Sequence, residues 1–203
     1  MADSKNKETE LRFLVKGSSW QSLADKGKAQ TIEQAFLSAF YKRVVRIRKK
    51  DGKGILTIKG EKTGGSQNPE WEYPIPPQDA DEMLAHPGLI DEGSFPISKT
   101  RYSLMDPTIQ WKGQTLMWEI DVFHDQNEGL ILAEIEINDL QSTEEKQEAE
   151  SVIRNNLPSW IGKELDFEKD SSVKRYFNNS LSKSPYNSWN EADKAEMVHH
   201  LSL

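Results

Sequence analysis

The sequence Glu8-Thr9-Glu10-Leu11-Arg12-Phe13-Leu14-Val15 alternates charged or polar residues with apolar ones. Alternate residues of a β-strand share a face, so Glu8, Glu10 and Arg12 line one side of the predicted strand and apolar residues line the other. Two carboxylates on one face repel each other, and a solvated face gains nothing from that arrangement. Hard divalent cations take carboxylate oxygens as ligands. The pattern therefore indicates a strand that contributes to a metal site.

The same alternation recurs in later segments, and the charges are sorted by sign from strand to strand. One antiparallel sheet with a packed face and a wet face would explain any single strand. Like charges on one face are unfavourable unless counter-charges lie between them. We therefore predict that the polar faces line a closed barrel. The sorted charges are the acidic pairs Glu70 and Glu72, Glu119 and Asp121, and Glu134 and Glu136, and the basic residues Arg46 and Arg48, Lys59, and Lys99 and Arg101.

The chain-wide pattern predicts an α+β fold. Strands are predicted at 8–15, 40–49, 55–61, 70–75, 99–104, 114–123 and 130–137, and residues 20–39 are interpreted as a loop with one helical turn. Helices are predicted at 77–85, at 143–157 with Thr143 as N-cap, and at 171–181 and 191–201. Trp71 and Trp118 fall on the apolar faces, so we expect them to pack outward.

Composition limits the possible classes of function. The chain has 203 residues and a net charge of −7, which argues against a general nucleic-acid binder with a basic surface. It has no cysteine, so disulfides and thiolate metal ligands are excluded. No apolar run approaches the roughly 20 residues of a membrane helix, so we expect no membrane partner and a cytoplasmic location. The length predicts one domain over 1–203, with a disordered tail at 1–7 and a helical segment at 171–203.

The chain resembles the CYTH family, also called triphosphate tunnel metalloenzymes. That family begins with Glu-x-Glu-x-Lys followed by Phe-Leu-Val, which corresponds here to Glu8 through Val15. Each further match is short, but nine in order make a specific pattern. The other matched segments are Val45-Arg46-Ile47-Arg48, Leu56-Thr57-Ile58-Lys59-Gly60, Glu70-Trp71-Glu72-Tyr73, Lys99-Thr100-Arg101-Tyr102, Trp118-Glu119-Ile120-Asp121-Val122-Phe123, Glu128-Gly129-Leu130, Ala133-Glu134-Ile135-Glu136 and Trp160-Ile161-Gly162-Lys163-Glu164.

The resemblance implies an eight-stranded antiparallel tunnel barrel, with helices packed outside and a triphosphate-bearing small molecule bound inside with Mg²⁺ or Mn²⁺. Family members are often dimers, so a homodimer is expected on that ground alone. The implied roles are as follows: metal ligands Glu8, Glu10, Glu134 and Glu136; phosphate binding by Arg46, Arg48, Lys59, Lys99, Arg101 and Lys163; catalysis by Arg12 and Arg48; and support by Glu119, Asp121, Glu70 and Glu72.

Two residues depart from the family pattern. Arg12 replaces the motif's lysine, and Phe36 stands where some members have tyrosine in a Gly-Tyr-Leu-Ser segment. Arginine binds phosphate well but does not act as a base, so hydrolysis would use another group, such as Tyr41, or rely on the metal. The leading prediction is a metal-dependent phosphohydrolase of inorganic tripolyphosphate or a related triphosphate. The alternatives are a class IV-like adenylate cyclase and a triphosphate- or polyphosphate-binding protein with weak turnover.

Overall fold

The computed structural model describes residues 7–24, 28–40, 42–61 and 69–194, with only the backbone of Lys7 and Glu8. Residues 1–6 of the predicted tail, Tyr41 and the end of the second predicted C-terminal helix lie outside the described residues. The strands are β1 (Lys7–Val15), β2 (Gln30–Phe40), β3 (Arg43–Lys50), β4 (Lys53–Gly60), β5 (Glu70–Ile75), β6 (Ile97–Trp111), β7 (Gln114–Phe123), β8 (Ile131–Leu140) and β9 (Ile161–Glu164). The α-helices are α1 (Pro77–Ala85), α2 (Thr143–Asn155) and α3 (Asn178–Leu181). Residues 191–194, the described start of the helix predicted at 191–201, are also helical.

All the strands belong to one antiparallel sheet with the order β5-β4-β3-β2-β6-β7-β8-β1-β9. The predicted α+β fold on an antiparallel sheet is confirmed, although the described residues form nine strands where eight were expected. On the charged face, Arg101 on β6 reaches across β7 to Glu134 on β8, with an Nη2–Oε2 distance of 2.9 Å. We call this charged side of the sheet the inner face and the opposite side the outer face; the antiparallel sheet fits a tunnel barrel with the inner face as its wall.

The outer face of β1, β6, β7 and β8 carries the larger hydrophobic core. Phe13, Trp118 and Trp160 are buried there, and their rings meet edge to face with centroid separations of 5.4–5.6 Å. Helix α2 covers this core with Ala149 and Ile153. The outward packing predicted for Trp118 is thus observed, whereas Trp71 on edge strand β5 lies outward but stays 48% exposed.

On β1, β6, β7 and β8, the inner face has a charged part and, next to it, an apolar part. Two residues beyond a charged side chain on each strand lies a buried apolar one: Leu14 after Arg12, Ile97 before Lys99, Phe123 after Asp121 and Leu132 before Glu134. Residues 171–189 pack on this apolar end. They form short turns, with 3₁₀ segments at Ser171–Tyr176 and Tyr186–Ser188 around the one-turn α3, in place of the predicted helix at 171–181.

Strand β2 corrects the interpretation of residues 20–39 as a loop. It lies in the interior of the sheet, where it pairs with β3 and β6. The segment Gln30–Phe40 contains alanine, serine and glutamine, which have little strand preference. Its neighbours supply the ladder hydrogen bonds and the buried surroundings, so tertiary context overrides the weak local signal. The expected helical turn is a 3₁₀ turn at Ser19–Ser22.

Two element boundaries also differ from the predictions. Strand β6 continues past residue 104 to Trp111, because a register shift between Asp106 and Gln110 accommodates Pro107. Helix α2 is capped by Ser142, not Thr143, and the Ser142 hydroxyl accepts a hydrogen bond from the Glu145 amide at 3.1 Å. Within the described ranges, none of the helices has the length and apolar character needed to cross a membrane.

Candidate functional site

Arg12 lies between two carboxylates on the inner face of β1 and β8. Its Nε donates to Glu134 at 2.7 Å, and its Nη2 donates to Glu10 at 2.6 Å. The Phe177 ring lies 5.0 Å from the guanidinium carbon, on the side facing residues 171–189. Although burial opposes the charge, Glu134 and Glu10 raise the pKa of Arg12 above its usual value. Arg12 is therefore a fixed cation that is already neutralised by the protein.

Arg101 and Lys99 on β6 converge on Asp121 of β7. Arg101 donates from Nε and Nη2 to the two Asp121 oxygens at 2.7 Å each, and Lys99 Nζ lies 2.5 Å from Asp121 Oδ2. Arg101 also bonds to Glu119 and Glu134. Burial disfavours the Asp121 carboxylate, but Lys99 and Arg101 outweigh burial and lower the pKa of Asp121 to about 2. We call the set formed by Arg12, Lys99, Arg101, Glu10, Glu119, Asp121 and Glu134 the acid-paired wall.

Arg46 and Arg48 on β3 lack comparable neutralisation, and we call these two residues the basic wall. Arg46 donates to Thr57 at 3.2 Å and lies 3.7 Å from Glu72 and 3.9 Å from Glu70. Arg48 forms no ion pair with any other described residue. Burial and the neighbouring Arg48 lower the pKa of Arg46 to about 10, and burial and Arg101 lower the pKa of Arg48. This wall has spare positive charge.

Lys59, Glu70, Glu72 and Lys163, which were also predicted to belong to the site, lie at the margins of the inner face. Lys59 pairs with Glu70 at 2.8 Å across β4 and β5, and Glu72 accepts a hydrogen bond from Thr57 at 3.1 Å. Lys163 on β9 pairs with Asp170 at 3.0 Å. Its neighbour Glu164 lies on the outer side, where Arg154 of α2 binds it, so strand alternation turns Lys163 toward the inner side.

The acid-paired wall also carries the carboxylates expected to hold metal. Glu10 and Glu136 are directly opposite in the β1–β8 ladder, and Glu134 is opposite Arg12. Burial, Glu134 and Glu136 raise the pKa of Glu10, which indicates that these acids repel one another. Among residues whose side chains are described, no three acidic or histidine groups are spaced to hold a metal ion. The carboxylates of Glu10, Glu134 and Glu136 have the donor chemistry that a hard cation prefers. Glu8 belongs to β1 by its backbone.

Sequence reasoning missed two features of the inner face. Gln34 on β2 is completely buried and lies directly opposite Arg48, on the same face as the basic wall. Recognition of β2 as a strand would have identified it, because Gln34 is two residues from both Ile32 and Phe36, which are also buried on that face. The second feature is the contact of Phe177 with Arg12, which joins residues far apart in the sequence and therefore leaves no local pattern.

The charges on the two walls are those expected of a receptor for a polyanion. Guanidinium groups bind phosphate oxygens with paired hydrogen bonds. Among the described residues, no carboxylate lies closer than 3.7 Å to Arg46, and Arg48 has no ion pair. A divalent cation near the Glu10 and Glu136 pair would complement the other end of such a ligand. Positioning and charge stabilisation of this kind are what phosphoryl transfer requires.

Comparisons with known proteins agree with this geometry. The CYTH domain model matches residues 6–173. An inorganic triphosphatase from Acetivibrio thermocellus is 36% identical over 185 residues, covering 91% of this chain and 99% of the relative. The crystal structure of the inorganic triphosphatase NE1496 superposes with a TM-score of 0.56 at 26% identity, covering 88% of this chain and 95% of that one.

A more distant structure shares the fold. HpAC1 from Hippeastrum, described as a putative adenylyl cyclase with a dominant triphosphatase activity, gives a TM-score of 0.51 at 18% identity, covering 84% of this chain and 96% of that one. The family match spans the strands that carry both walls. This chain belongs to the CYTH family.

Proposed function

We propose that this protein is a metal-dependent triphosphatase that hydrolyses inorganic tripolyphosphate with Mg²⁺ or Mn²⁺. The observation that carries the proposal is the contrast between the walls. Among the described residues, Arg46 has only distant carboxylates and Arg48 has no ion pair, whereas Arg12 and Arg101 are held by carboxylates at 2.7 Å. The 36% identity to an inorganic triphosphatase over nearly its whole length supports the same substrate class.

In the proposed complex the residues of the two walls have different tasks. Arg46 and Arg48 bind the phosphoryl oxygens, with Lys59 and Lys163 at the margins. Arg101 and Lys99, held in place by Asp121 and Glu119, stabilise the charge that develops as the anhydride bond breaks. Glu8, Glu10, Glu134 and Glu136 would hold the cation, and a bound Mg²⁺ or Mn²⁺ supplies Lewis-acid neutralisation of phosphoryl oxygens.

Attack by water on the terminal phosphorus would give phosphate and pyrophosphate. The chain offers no lysine at position 12 and no tyrosine at position 36 to orient that water. Phe36 is buried in the apolar inner cluster with Ile97 and Phe123. Arg12 is held by Glu10 and Glu134, so its role in this proposal is to position these acids and to stabilise charge, not to accept a proton.

The proposal is tested with purified protein and tripolyphosphate, ATP or thiamine triphosphate, each with Mg²⁺, Mn²⁺ or EDTA. We expect phosphate release from tripolyphosphate that requires metal. Cyclic AMP and pyrophosphate from ATP would identify an adenylate cyclase instead. Saturable binding of tripolyphosphate without any product would identify a binding protein, the alternative that the fixed Arg12 and the apolar setting of Phe36 favour.

A further inference from the structure

Gln34 is a buried amide whose polar atoms have nothing to bond to. The residue is 0% exposed, and neither its Nε2 nor its Oε1 has a hydrogen-bond partner in the described part of the chain. Buried side-chain amides in folded proteins are almost always hydrogen-bonded, because an unpaired one loses its contacts with water and gains nothing in return. An apolar residue of similar size would be the more stable choice for packing alone.

The register of the sheet places Gln34 inside the phosphate-binding face. It lies directly opposite Arg48 on β3 and opposite Ile97 on β6. Residues directly opposite in an antiparallel pair share a face and have Cβ atoms about 5 Å apart, and diagonal neighbours are within reach of long side chains. The diagonal neighbours on the same face are Arg46 and Lys50 on β3 and Lys99 on β6. The amide is therefore surrounded by cations on both sides.

The unpaired groups around Gln34 are not isolated. Arg46 Nε and Arg48 Nε are also buried without a hydrogen-bond partner among the described residues. On the acid-paired wall, by contrast, the Nε groups of Arg12 and Arg101 each donate to a carboxylate at 2.7 Å. Gln34, Arg46 and Arg48 are neighbours on β2 and β3, and each has a buried polar atom without a hydrogen-bond partner among the described residues. Most of these atoms are donors, so a ligand with many acceptor oxygens would supply the missing hydrogen bonds.

The amide also carries an acceptor, which a phosphate does not satisfy. Arg48 Nε lies on the residue directly opposite and is itself an unpaired donor. A hydrogen bond from Arg48 Nε to Gln34 Oε1 would satisfy both groups and turn the Gln34 Nε2 hydrogens toward the ligand. The carboxamide then orients the guanidinium without neutralising it, as a carboxylate would. A neutral partner in place of a carboxylate leaves the positive charge of Arg48 available for an anionic ligand.

We propose that Gln34 is a substrate-binding and positioning residue, which donates from Nε2 to a phosphoryl oxygen of the linear triphosphate and accepts at Oε1 from Arg48. This inference rests on the proposed function for the identity of the ligand. It adds a neutral hydrogen-bond donor to a site otherwise made of charged groups. It also explains why a polar side chain occupies a position where packing alone favours an apolar one.

The test compares Gln34→Leu and Gln34→Met with the wild type and with Gln110→Leu, a matched change at an exposed glutamine of β6. KM and kcat for tripolyphosphate are measured, together with the melting temperature. We expect KM to rise roughly tenfold or more, since hydrogen bonds to charged groups are stronger than neutral ones. The melting temperature should stay equal or rise because the unpaired amide is gone. The control should match the wild type in all three quantities.

A third variant, Gln34→Glu, separates orientation from charge. The carboxylate is able to hold Arg48 but repels the phosphate, so we expect an intact fold and a larger rise in KM than in Gln34→Leu. Unchanged KM and kcat in Gln34→Leu and Gln34→Met would overturn the proposal. A lower melting temperature with unchanged KM would do so too, because it would assign Gln34 to a structural hydrogen bond. If Gln34→Leu does not fold, Gln34→Met supplies the measurement.

Calorimetric titration of tripolyphosphate in EDTA keeps the two proposals distinct. If the wild type binds tripolyphosphate but releases no phosphate, the proposed triphosphatase activity fails, while a loss of binding in Gln34→Leu still supports the role of Gln34. If the wild type hydrolyses tripolyphosphate and Gln34→Leu is unaltered, only the role of Gln34 fails. If the wild type neither binds nor hydrolyses tripolyphosphate, both proposals are wrong.

Discussion

The acid-paired wall and the basic wall both contain arginine side chains, but they differ in how closely carboxylates pair with them. Arg12 and Arg101 each contact two or more carboxylates at hydrogen-bond distance. Arg46 comes no nearer than 3.7 Å to an acid in the described chain, and Arg48 has no ion pair there. The pKa shifts follow this difference, upward for Arg12 and Arg101 and downward for Arg46 and Arg48.

This difference separates two uses of a buried charge. A cation between carboxylates is part of the folded structure, and removing it leaves the acids unpaired. A cation without counter-anions costs stability, and a polyanionic ligand offsets that cost when it binds. We expect substitutions in the first set to affect both folding and activity, and substitutions in the second set to affect activity alone.

The largest effect is expected for Arg101→Met. The change leaves the buried Asp121, together with Glu119 and Glu134, without its main partner. Breaking a buried ion pair in this way typically costs about 3–5 kcal/mol, and the tripolyphosphate activity should be lost as well. Urea unfolding measures the stability, and Lys112→Met, which removes a surface ion pair to Glu145, is the matched control. A variant with wild-type stability would contradict the account of the acid-paired wall.

Arg48→Met should separate activity from folding. Loss of one charge-stabilising donor commonly lowers turnover by about 10²–10³-fold, so we expect a fall of that order in kcat/KM. The free energy of unfolding should stay equal or rise, because burial and Arg101 already disfavour the Arg48 charge. Steady-state kinetics and urea unfolding of the same preparation provide the check. Destabilisation as large as in Arg101→Met would mean that the two walls do not differ.

Glu8→Gln probes the acidic end of the site. If Glu8 holds the divalent cation, losing its charge should lower metal-dependent activity by about two orders of magnitude, since a bound metal is worth several kcal/mol of transition-state stabilisation. Activity is titrated with Mg²⁺ and with Mn²⁺, and Glu33→Gln, at an exposed position of β2, is the control. Full activity in Glu8→Gln at limiting metal would show that the first strand is wrongly assigned.

A smaller effect is expected for the double variant Arg12→Lys with Phe36→Tyr. It restores the two groups found in other members of the family, so turnover should increase several-fold more than affinity. Steady-state measurements of kcat and KM for tripolyphosphate distinguish a change in turnover from a change in affinity. Unchanged kcat would indicate that other groups of this chain already compensate for both departures.

The smallest effect is a dependence of stability on acid pH. The folded-state pKa of Asp121 is about 2, below its usual value. A lowered pKa contributes stability above the unfolded value, and this contribution is lost as pH falls through the interval from about 4 to 2. In EDTA, the melting temperature of the wild type should therefore drop by a few degrees more than that of Asp121→Asn over this interval. Parallel curves would show that Asp121 does not contribute.

Much of the inner face was predictable, because a strand period of two sorts side chains without knowledge of the fold. Glu10, Arg46, Arg48, Lys99, Arg101, Asp121 and Glu134 all lie on the face that the alternation assigns to them. Their pairing was not predictable. The bond from Arg101 to Glu134 crosses an intervening strand, so it depends on strand order and curvature, which alternation does not contain.

The elements that the sequence analysis did not predict were missed for separate physical reasons. The sequence of β2 has weak strand preference and is held in place by β3 and β6. Strand β9 has four residues, too few to show a period. The turns at 171–189 are set by their packing against Leu14, Phe36 and Phe123, contacts between parts of the chain far apart in sequence.

The turns at 171–189 make the two ends of the inner face different, because they cover only one of them. Val173, Tyr176 and Leu181 cover the apolar end, so a ligand would approach the charged residues from the opposite end. Substrate and products would then use one mouth, so a phosphate chain arrives end first and cannot thread through. Long polyphosphates would be shortened only from their termini, and each product must leave before the next substrate arrives. The same packing that completes the hydrophobic interior would thereby impose an order on turnover.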